Sequence, residues 1–448
     1  MSPDGRFLFV ANSNFDLRYN SGSLHSYNLE TLSTEIATCQ SEPVEEREEC
    51  GVIPVEDEWD PGDLPQKIRP VPNLLADEVL IGSYADGMEI SPSGGRLYLP
   101  IRSDANLTFV DVDGSGQLFC GGEANGRHIC SDDYRRGVDE ASTLRGIELP
   151  TDPVGIHVGA MRDLRVDDDL EYDGDYVLMA HRGGRVSLFL DEAAPETPGL
   201  PSSTAGRPRL VHTLSGLPPE LVDLSVDPVT RLAWIANNGE PVISRVGVGV
   251  DPVDRERSFL FDAGGLPVRD VDTLSGSNGD TRVVRFDPRD GVRRAYILSR
   301  LPRALLTVDL DRSVQKADVV GLVPVGFGPS RLEVQTFPAA EGRPSGHTLA
   351  FISCFDSRDL YVIDVDAGRL VGIVRSLGGP FELEVDVARR RLYVLDFRSS
   401  VIRVIDLLPM FECLDDDDFI EMNVDRNDEC SPLTLGVVGR PRAVRELI

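Results

Sequence analysis

Residues His347–Leu408 read HTLAFISCFDSRDLYVIDVDAGRLVGIVRSLGGPFELEVDVARRRLYVLDFRSSVIRVIDLL. One unit occurs almost twice in this stretch: an apolar run, a short polar turn, a second apolar run ending in Ile-Asp, then another turn. Short runs rich in Val, Ile, Tyr and Phe, bounded by turn residues, are the pattern of strands. Phe351 and Val394 hold equivalent places about 43 residues apart, the length of one blade-like supersecondary unit.

The same unit can be traced through the whole chain. A first strand ends in a tight turn such as Ser91-Pro92-Ser93-Gly94 or Asp287-Pro288-Arg289-Asp290, built from residues that supply turn geometry. Second strands are expected at Phe7–Ala11, Arg96–Pro100, Tyr176–Ala180, Leu232–Ala236, Ala295–Ser299, Leu349–Cys354 and Leu392–Asp396. Third strands are expected at Leu24–Asn28, Leu107–Val112, Val186–Leu190, Val242–Val246, Leu305–Leu310, Leu360–Val365 and Val401–Leu407. Seven of each predict an all-β chain folded as a seven-bladed β-propeller. The stretch Gly439–Leu447 resembles the start of a blade, while Met1–Gly5 is already the turn before a second strand. A C-terminal strand is therefore expected to join the first blade and close the ring, removing open sheet edges. No linker divides the chain, so residues 1–448 are expected to form one domain.

An average of 64 residues per blade exceeds the compact unit. The excess falls in three acidic, irregular insertions, 34–72, 114–144 and 409–431, each placed after a third strand and before the fourth. Six of the seven cysteines lie pairwise inside them. Disulfides Cys39–Cys50, Cys120–Cys130 and Cys413–Cys430 are expected, with Cys354 a buried free thiol in an apolar run. The alternative is seven unrelated reduced thiols. Metal ligation is disfavoured because no CxxC occurs.

Charge and composition bound the partners. Seventy-five Asp and Glu against 45 Lys and Arg give a net charge of −30. Such a field repels phosphate backbones, so no nucleic-acid partner is expected. The apolar fraction of 41% and mean hydropathy of −0.14 suit a globular protein with a real core. No run approaches the roughly 18 apolar residues of a membrane span, so no transmembrane segment is expected. A monomer is expected. The cysteine pairs point to an oxidising compartment, the cell envelope (periplasm or outer surface) or the exterior. Met1 opens directly into SPDGRFLFVAN without a basic segment, apolar core or cleavage site, so the export signal is read as missing from this chain.

Phe9-Val10-Ala11-Asn12 and Trp234-Ile235-Ala236-Asn237, with Val362-Ile363-Asp364 and Val404-Ile405-Asp406, resemble the YVTN-type β-propeller repeat family. Such repeats are similar to those of YncE-like envelope proteins, lactonase-type propellers and surface-layer repeat proteins. The resemblance spans nearly the whole chain through short degenerate motifs, and it implies a fold rather than an activity. A WD40 reading is weak, because the sole Trp-Asp, Trp59-Asp60, lies in an acidic insertion.

Enzyme motifs are mostly absent. The two lysines, Lys67 and Lys316, each follow Gln, so no P-loop exists. No GxSxG, HExxH or CxxCH occurs. Asp111-Val112-Asp113-Gly114-Ser115-Gly116 opens like a calcium loop but lacks its closing acid, and Asp415–Asp428 offers oxygens in no standard order. No metal and no cofactor is expected.

The coherent signal is spatial. Loops joining second to third strands and the starts of inner strands are expected on one face, around the channel mouth. These positions carry Arg102, His157, His181, Arg182, Asp223, Arg300, Arg358 and Arg398, with Glu89, Arg285, Arg331 and Glu382 on inner strands. Recurrent Arg in an acidic protein predicts a cationic mouth for a small anionic ligand or a carboxylate-bearing protein. The alternative is Arg–Asp pairs that hold neighbouring blades in register. The expected function is a non-catalytic envelope propeller binding a protein or small anionic ligand. A lactonase-like hydrolase and a structural surface-layer-like protein are the alternatives.

Overall fold

A computed structural model describes residues 1–13, 21–41, 74–124, 126–137, 148–164, 174–192, 207–251, 254–268, 280–313, 316–339, 346–375, 377–398, 401–414 and 433–439. The chain begins with a turn closed by a side chain, and the device returns along it. The Ser2 hydroxyl accepts from the backbone N–H of Arg6 and Phe7 at 3.1 and 2.9 Å. Ser91 does the same for Gly95 and Arg96, both at 3.1 Å. Later turns use aspartate: Asp227 accepts from Val229 N, Asp287 from Arg289 N and Asp386 from Arg389 N. Short polar side chains suit this place because they satisfy amides that the reversal leaves without a strand partner. The left-handed residue moves with the side chain. It is Gly5 or Gly94 after the serines, and one position later, at Arg231, Gly291 or Arg390, after the aspartates.

The turns deliver the chain into small antiparallel sheets. The first contains β1 (Phe7–Asn12), β2 (Gly22–Asn28) and, after helix α1 (Leu29–Ser41), β3 (Leu75–Ile81). The second sheet is formed by β4 (Glu89–Ile90), β5 (Arg96–Ile101) and β6 (Asn106–Val112). Four short strands follow: β7 (Leu118–Phe119), β8 (Gly121–Ala124), β9 (Arg127–Cys130) and β10 (Arg135–Arg136). The third sheet is β11 (Pro153–Ala160), β12 (Asp175–His181), β13 (Arg185–Asp191) and β14 (Arg209–Ser215). The fourth is β15 (Leu221–Val226), β16 (Ala233–Asn237), β17 (Val242–Gly249) and β18 (Phe259–Pro267). The fifth is β19 (Asp280–Phe286), β20 (Arg294–Leu301), β21 (Arg303–Asp309) and β22 (Asp318–Pro324). The sixth is β23 (Pro329–Phe337), β24 (His347–Cys354), β25 (Asp359–Asp364) and β26 (Arg369–Val374). The seventh is β27 (Pro380–Asp386), β28 (Arg391–Asp396), β29 (Val401–Asp406) and, after helix α2 (Leu408–Leu414), β30 (Leu433–Gly439).

The seven sheets make a seven-bladed β-propeller, and the expected second and third strands appear within a few residues of their predicted ends. The described residues gather into two compact units, one of Met1–Leu32 and Pro72–Leu266, the other of Ser33–Val71 and Pro267–Glu446. The C-terminal closing strand expected from Gly439–Leu447 lies, beyond Gly439, outside the described residues. Leu433–Gly439 itself is the outer strand of the seventh sheet, paired with β29.

Second strands are buried on both faces. All six residues of β5 and all seven of β12 are enclosed. In the first unit Tyr98 and Phe109 pack with Ile156, Val177, Met179 and Phe189 between the second and third sheets. In the second unit Phe337, Phe351, Val362, Leu383, Val394 and Ile405 form a core shared by the sixth and seventh. Each such side chain contributes about 1.5–3 kcal/mol by leaving water.

The same burial encloses charge. The Arg96 guanidinium donates from Nε to Asp111 and from Nη1 to Asp191, both at 2.6 Å. Tyr98 Oη donates to Asp191 at 2.8 Å and to Asp175 at 3.1 Å. Burial pushes the Asp175 carboxyl up to about 7. Arg96 is held charged because its two aspartates outweigh its own desolvation. In the seventh sheet Arg403, 1% exposed, donates to Asp396 at 2.6 Å.

The insertions are less irregular than expected. Asn28 caps α1 by accepting from Glu30 N and Thr31 N at 3.0 Å each, the usual role of Asn before a helix. Thr34–Ser41, read from sequence as loop, continues that helix and buries Ile36. The 114–144 insertion does not simply precede a fourth strand. It contains that strand, β10, paired to β6, and the β8–β9 hairpin, whose β9 pairs parallel to β3 of the first sheet. A hairpin laid on an outer edge removes a pairing site for other chains. Cys120–Cys130 cross-links it, and Cys354 is free and buried. Cys50 and Cys430, and with them the other two expected disulfides, lie outside the described residues.

Mass mapping under non-reducing conditions should find Cys120 joined to Cys130. The Cys120→Ser, Cys130→Ser double variant should lose roughly 2–3 kcal/mol in chemical denaturation, since the cross-link closes a short loop. Seven free thiols would contradict this structure. Arg96→Met should cost about 3–5 kcal/mol in the same assay, because two buried carboxylates lose their counter-charge. A loss below about 1 kcal/mol, the range of exposed pairs, would show the network to be solvated.

Candidate functional site

Inner strands alternate differently from the strands behind them. Along β23 the residues Arg331, Glu333 and Gln335 are half-buried while Leu332 and Val334 are enclosed. A period of two places the three polar side chains on one face. On the adjacent β27, Glu382 and Glu384 hold the same kind of position, as does Arg285 on β19. Two ion pairs bind these strands side to side. Arg285 Nε donates to Glu333 at 3.2 Å, and Arg331 Nε donates to Glu382 at 2.8 Å.

Glu333 is the unusual member of this set. Desolvation raises its carboxyl most, with Arg285 opposing and Glu384 and Glu382 adding repulsion, and the result stands at about 7. Its side chain keeps 28% exposure. The group is therefore flanked by protein yet reachable by water, and the upward direction follows from its two acidic neighbours as well as from burial. A carboxyl that titrates near neutrality beside a guanidinium can take a proton from water while the cation holds an anion.

The sequence singled out Arg285, Arg331 and Glu382 on inner strands but not Glu333 or Glu384. The available signal was the spacing itself: Arg331-x-Glu333 and Glu382-x-Glu384 put charge at every second residue of strands whose other positions are apolar.

The rim residues of the same unit have separate fates. Arg300 Nε donates to the Pro329 carbonyl at 3.1 Å, tying the end of β20 to the start of β23. Arg358 is exposed and adopts φ 61°, and its carbonyl accepts from Leu377 N at 2.9 Å. The Arg398 guanidinium lies 5.0 Å above the Phe355 ring.

In the first unit the charged groups are largely paired. Arg102 reaches Asp152 at 2.6 Å and Asp86 at 3.2 Å, which joins the second sheet to the start of the third. Arg182 Nε is 3.9 Å from Glu220. His157, on β11, has Nδ1 3.6 Å from Glu89 and Nε2 3.4 Å from Tyr176 Oη. Asp223, on β15, is half-buried beside Gly155, where an added Cβ would come within 2.9 Å of the Asp223 Cα. His181 is enclosed at 0% exposure, with Nε2 2.9 Å from Ser187 Oγ. Burial lowers its imidazole to about 4, so the ring is neutral at physiological pH. The structure thus brings His157 together with Glu89 and Tyr176, and it leaves His181 inside the sheet.

The first acidic cluster is spent locally. Asp111 holds Arg96, and Asp113 Oδ1 accepts from Ser115 N, Ser115 Oγ and Gln117 N at 2.7–2.9 Å. The second, Asp415–Asp428, lies outside the described residues. Among the described residues no group of three or more His, Cys, Asp or Glu is disposed to hold a metal ion. No helix among them is long and apolar enough to cross a membrane.

No protein-family model matches the chain, and no curated protein matches it in sequence. Solved structures do resemble it. Two are each described as a "putative 6-phosphogluconolactonase". The one from Bacteroides fragilis has a TM-score of 0.54 at 12% identity, covering 91% of this chain and 92% of its own. The one from Bacteroides uniformis has a TM-score of 0.50 at 13% identity, covering 90% and 92%. These descriptions run against the expectation of a non-catalytic envelope binder. At such identity the likeness is one of fold: the chain shares the β-propeller of these two proteins.

Proposed function

We propose that this protein is a lactonase-like hydrolase that opens small cyclic esters at the inner strands of its second unit. The observation that carries this reading is Glu333, a carboxyl pushed up to about 7 and bonded to Arg285 one strand away. Ionised Glu333 takes a proton from water as the water oxygen bonds to the ester carbonyl carbon. Arg285 and Arg331 stabilise the oxyanion that forms. When the ring C–O bond breaks, Glu333 returns its proton to the leaving ring oxygen, giving an open hydroxy acid. Atoms and charge balance without a cofactor. The lactonase description carried by two propellers of the same fold supports the choice of ester over other carbonyl substrates.

The arginine-rich mouth enters this reading as the holder of the product carboxylate, through Arg358 and Arg398. Arg300 supports the start of β23 beside them. In the first unit Arg102 and Arg182 are positioned by their carboxylate partners, His157 is engaged by Glu89 and Tyr176, Asp223 packs beside Gly155, and His181 supports the sheet from within. We further propose an exported protein of the envelope or exterior, because a hairpin disulfide suits an oxidising compartment. The finer resemblance to YVTN-type and YncE-like repeats is part of the same proposal.

Glu333→Gln should lower kcat/KM for glucono-1,5-lactone or a simple aryl lactone by about 100-fold or more, the usual range for a lost general base. The wild-type rate should rise as pH increases through about 7, where the carboxyl ionises. Stability should run the other way. The raised carboxyl stabilises the folded chain in its protonated form below the ordinary glutamate range, and that contribution is lost as pH climbs through about 7. Glu333→Gln should therefore melt no lower than wild type at pH 8. Full activity in this variant would remove Glu333 from the chemistry.

A further inference from the structure

Three phenylalanines from neighbouring blades meet at the rim of the second unit. The ring centroids of Phe355, Phe381 and Phe397 are 6.3, 6.0 and 6.1 Å apart in the three pairings. Phe397 is 42% exposed, and nearby Phe327 is 61% exposed. Arginines lie against this apolar surface. Arg398 is over Phe355 at 5.0 Å, Arg303 over Phe327 at 3.5 Å, and Arg331 over Phe381 at 4.9 Å. Arg331 also holds Glu382 at 2.8 Å, so the rings adjoin the charged inner strands. Backbone hydrogen bonds fix the loops that carry them: Asp356 N and Ser357 N donate to the Phe327 carbonyl, and Phe397 N to that of Gly379.

We infer that this rim selects the substrate, and that the substrate is a lactone bearing an aryl or bulky apolar substituent rather than a polyhydroxylated sugar lactone. The inference rests on the hydrolase reading above. Phenyl rings offer no hydrogen bond to a polyol, and covering them with hydroxyl groups would strip those groups of water without replacement. An apolar body against the rings, with its carboxylate on the cations above them, satisfies both surfaces together. The rings sit on strand ends and hydrogen-bonded loops, so little ordering is needed on binding.

The test uses ring-opened acids, so binding is read without turnover. Calorimetric titration of the full chain with 3-phenylpropionate and with gluconate should show the aryl acid bound at least about tenfold more tightly. Phe397→Ala should weaken the aryl acid about tenfold and leave gluconate unchanged, the scale of one lost aromatic contact. If that variant fails to fold, Phe327→Ala serves with the same readout. Equal affinity for both acids, binding of neither, or an equal loss for both in the variant would overturn the inference. Hydrolysis is scored apart. Lactone opening with no aryl preference overturns the selectivity alone, whereas aryl preference with no turnover of any lactone overturns the hydrolase reading alone.

Discussion

Five blades depend on how the chain reverses into the second strand. A reversal there leaves amides pointing away from any strand, and a propeller has little room for water between its blades. The side chains of Ser2, Ser91, Asp227, Asp287 and Asp386 accept those amides directly. The aspartates can do a second task because they carry two oxygens. Asp287 also accepts from Tyr296 Oη at 2.7 Å and from Arg289 Nη2 at 2.7 Å. Arg289 continues to Asp366 at 2.7 Å, on the following sheet. A turn solution thereby becomes a fastening between sheets.

Fastenings of this kind leave the inner strands little freedom, and that bears on their chemistry. The enclosed faces of β23 and β27 can be largely apolar because the turns and the second strands fix their register. Their open faces then carry charge at every second position without endangering the core. The carboxylates and guanidiniums of β19, β23 and β27 cost desolvation, and Arg285–Glu333 and Arg331–Glu382 recover part of it. For Glu333 burial still outweighs Arg285, and Glu384 and Glu382 add to the opposition to its ionisation. A charged group held at a cost to stability is common where a fold trades stability for activity.

The architecture was legible because strands of two apolar faces and Ser/Asp-Pro turns recur with a fixed order. The sequence had equally clear signs that were passed over. Asn28 ahead of Leu29-Glu30-Thr31 is a helix start, yet the acidic composition beyond it suggested loop. The outward reach of the 114–144 insertion to β3 was not legible, since parallel pairing of β9 depends on a distant edge rather than on local pattern. The mouth was read from loop positions, which supplied Arg358 and Arg398, while Glu333 sits mid-strand and was masked by the apolar run around it. His181 shows the opposite error. A polar residue at a strand end looks exposed in one dimension, but its partner Ser187 on β13 draws it inward.

The arginines show why residue type alone does not define a site. Arg96, Arg102 and Arg289 meet carboxylates at 2.6–2.7 Å, and their donors are consumed by the fold. Arg303 and Arg398 instead have their guanidinium carbons 3.5 and 5.0 Å from the centroids of phenyl rings. A ring face neutralises little of the charge and accepts none of the edge-on N–H donors, so the fork remains able to grip a carboxylate. Stacking also holds the guanidinium in place before anything binds, which reduces the ordering needed later. Among the described residues Arg303 and Arg398 are two cations set against aromatic surface of the second unit. That coincidence, rather than the number of arginines, is what the proposed selectivity of the rim rests on.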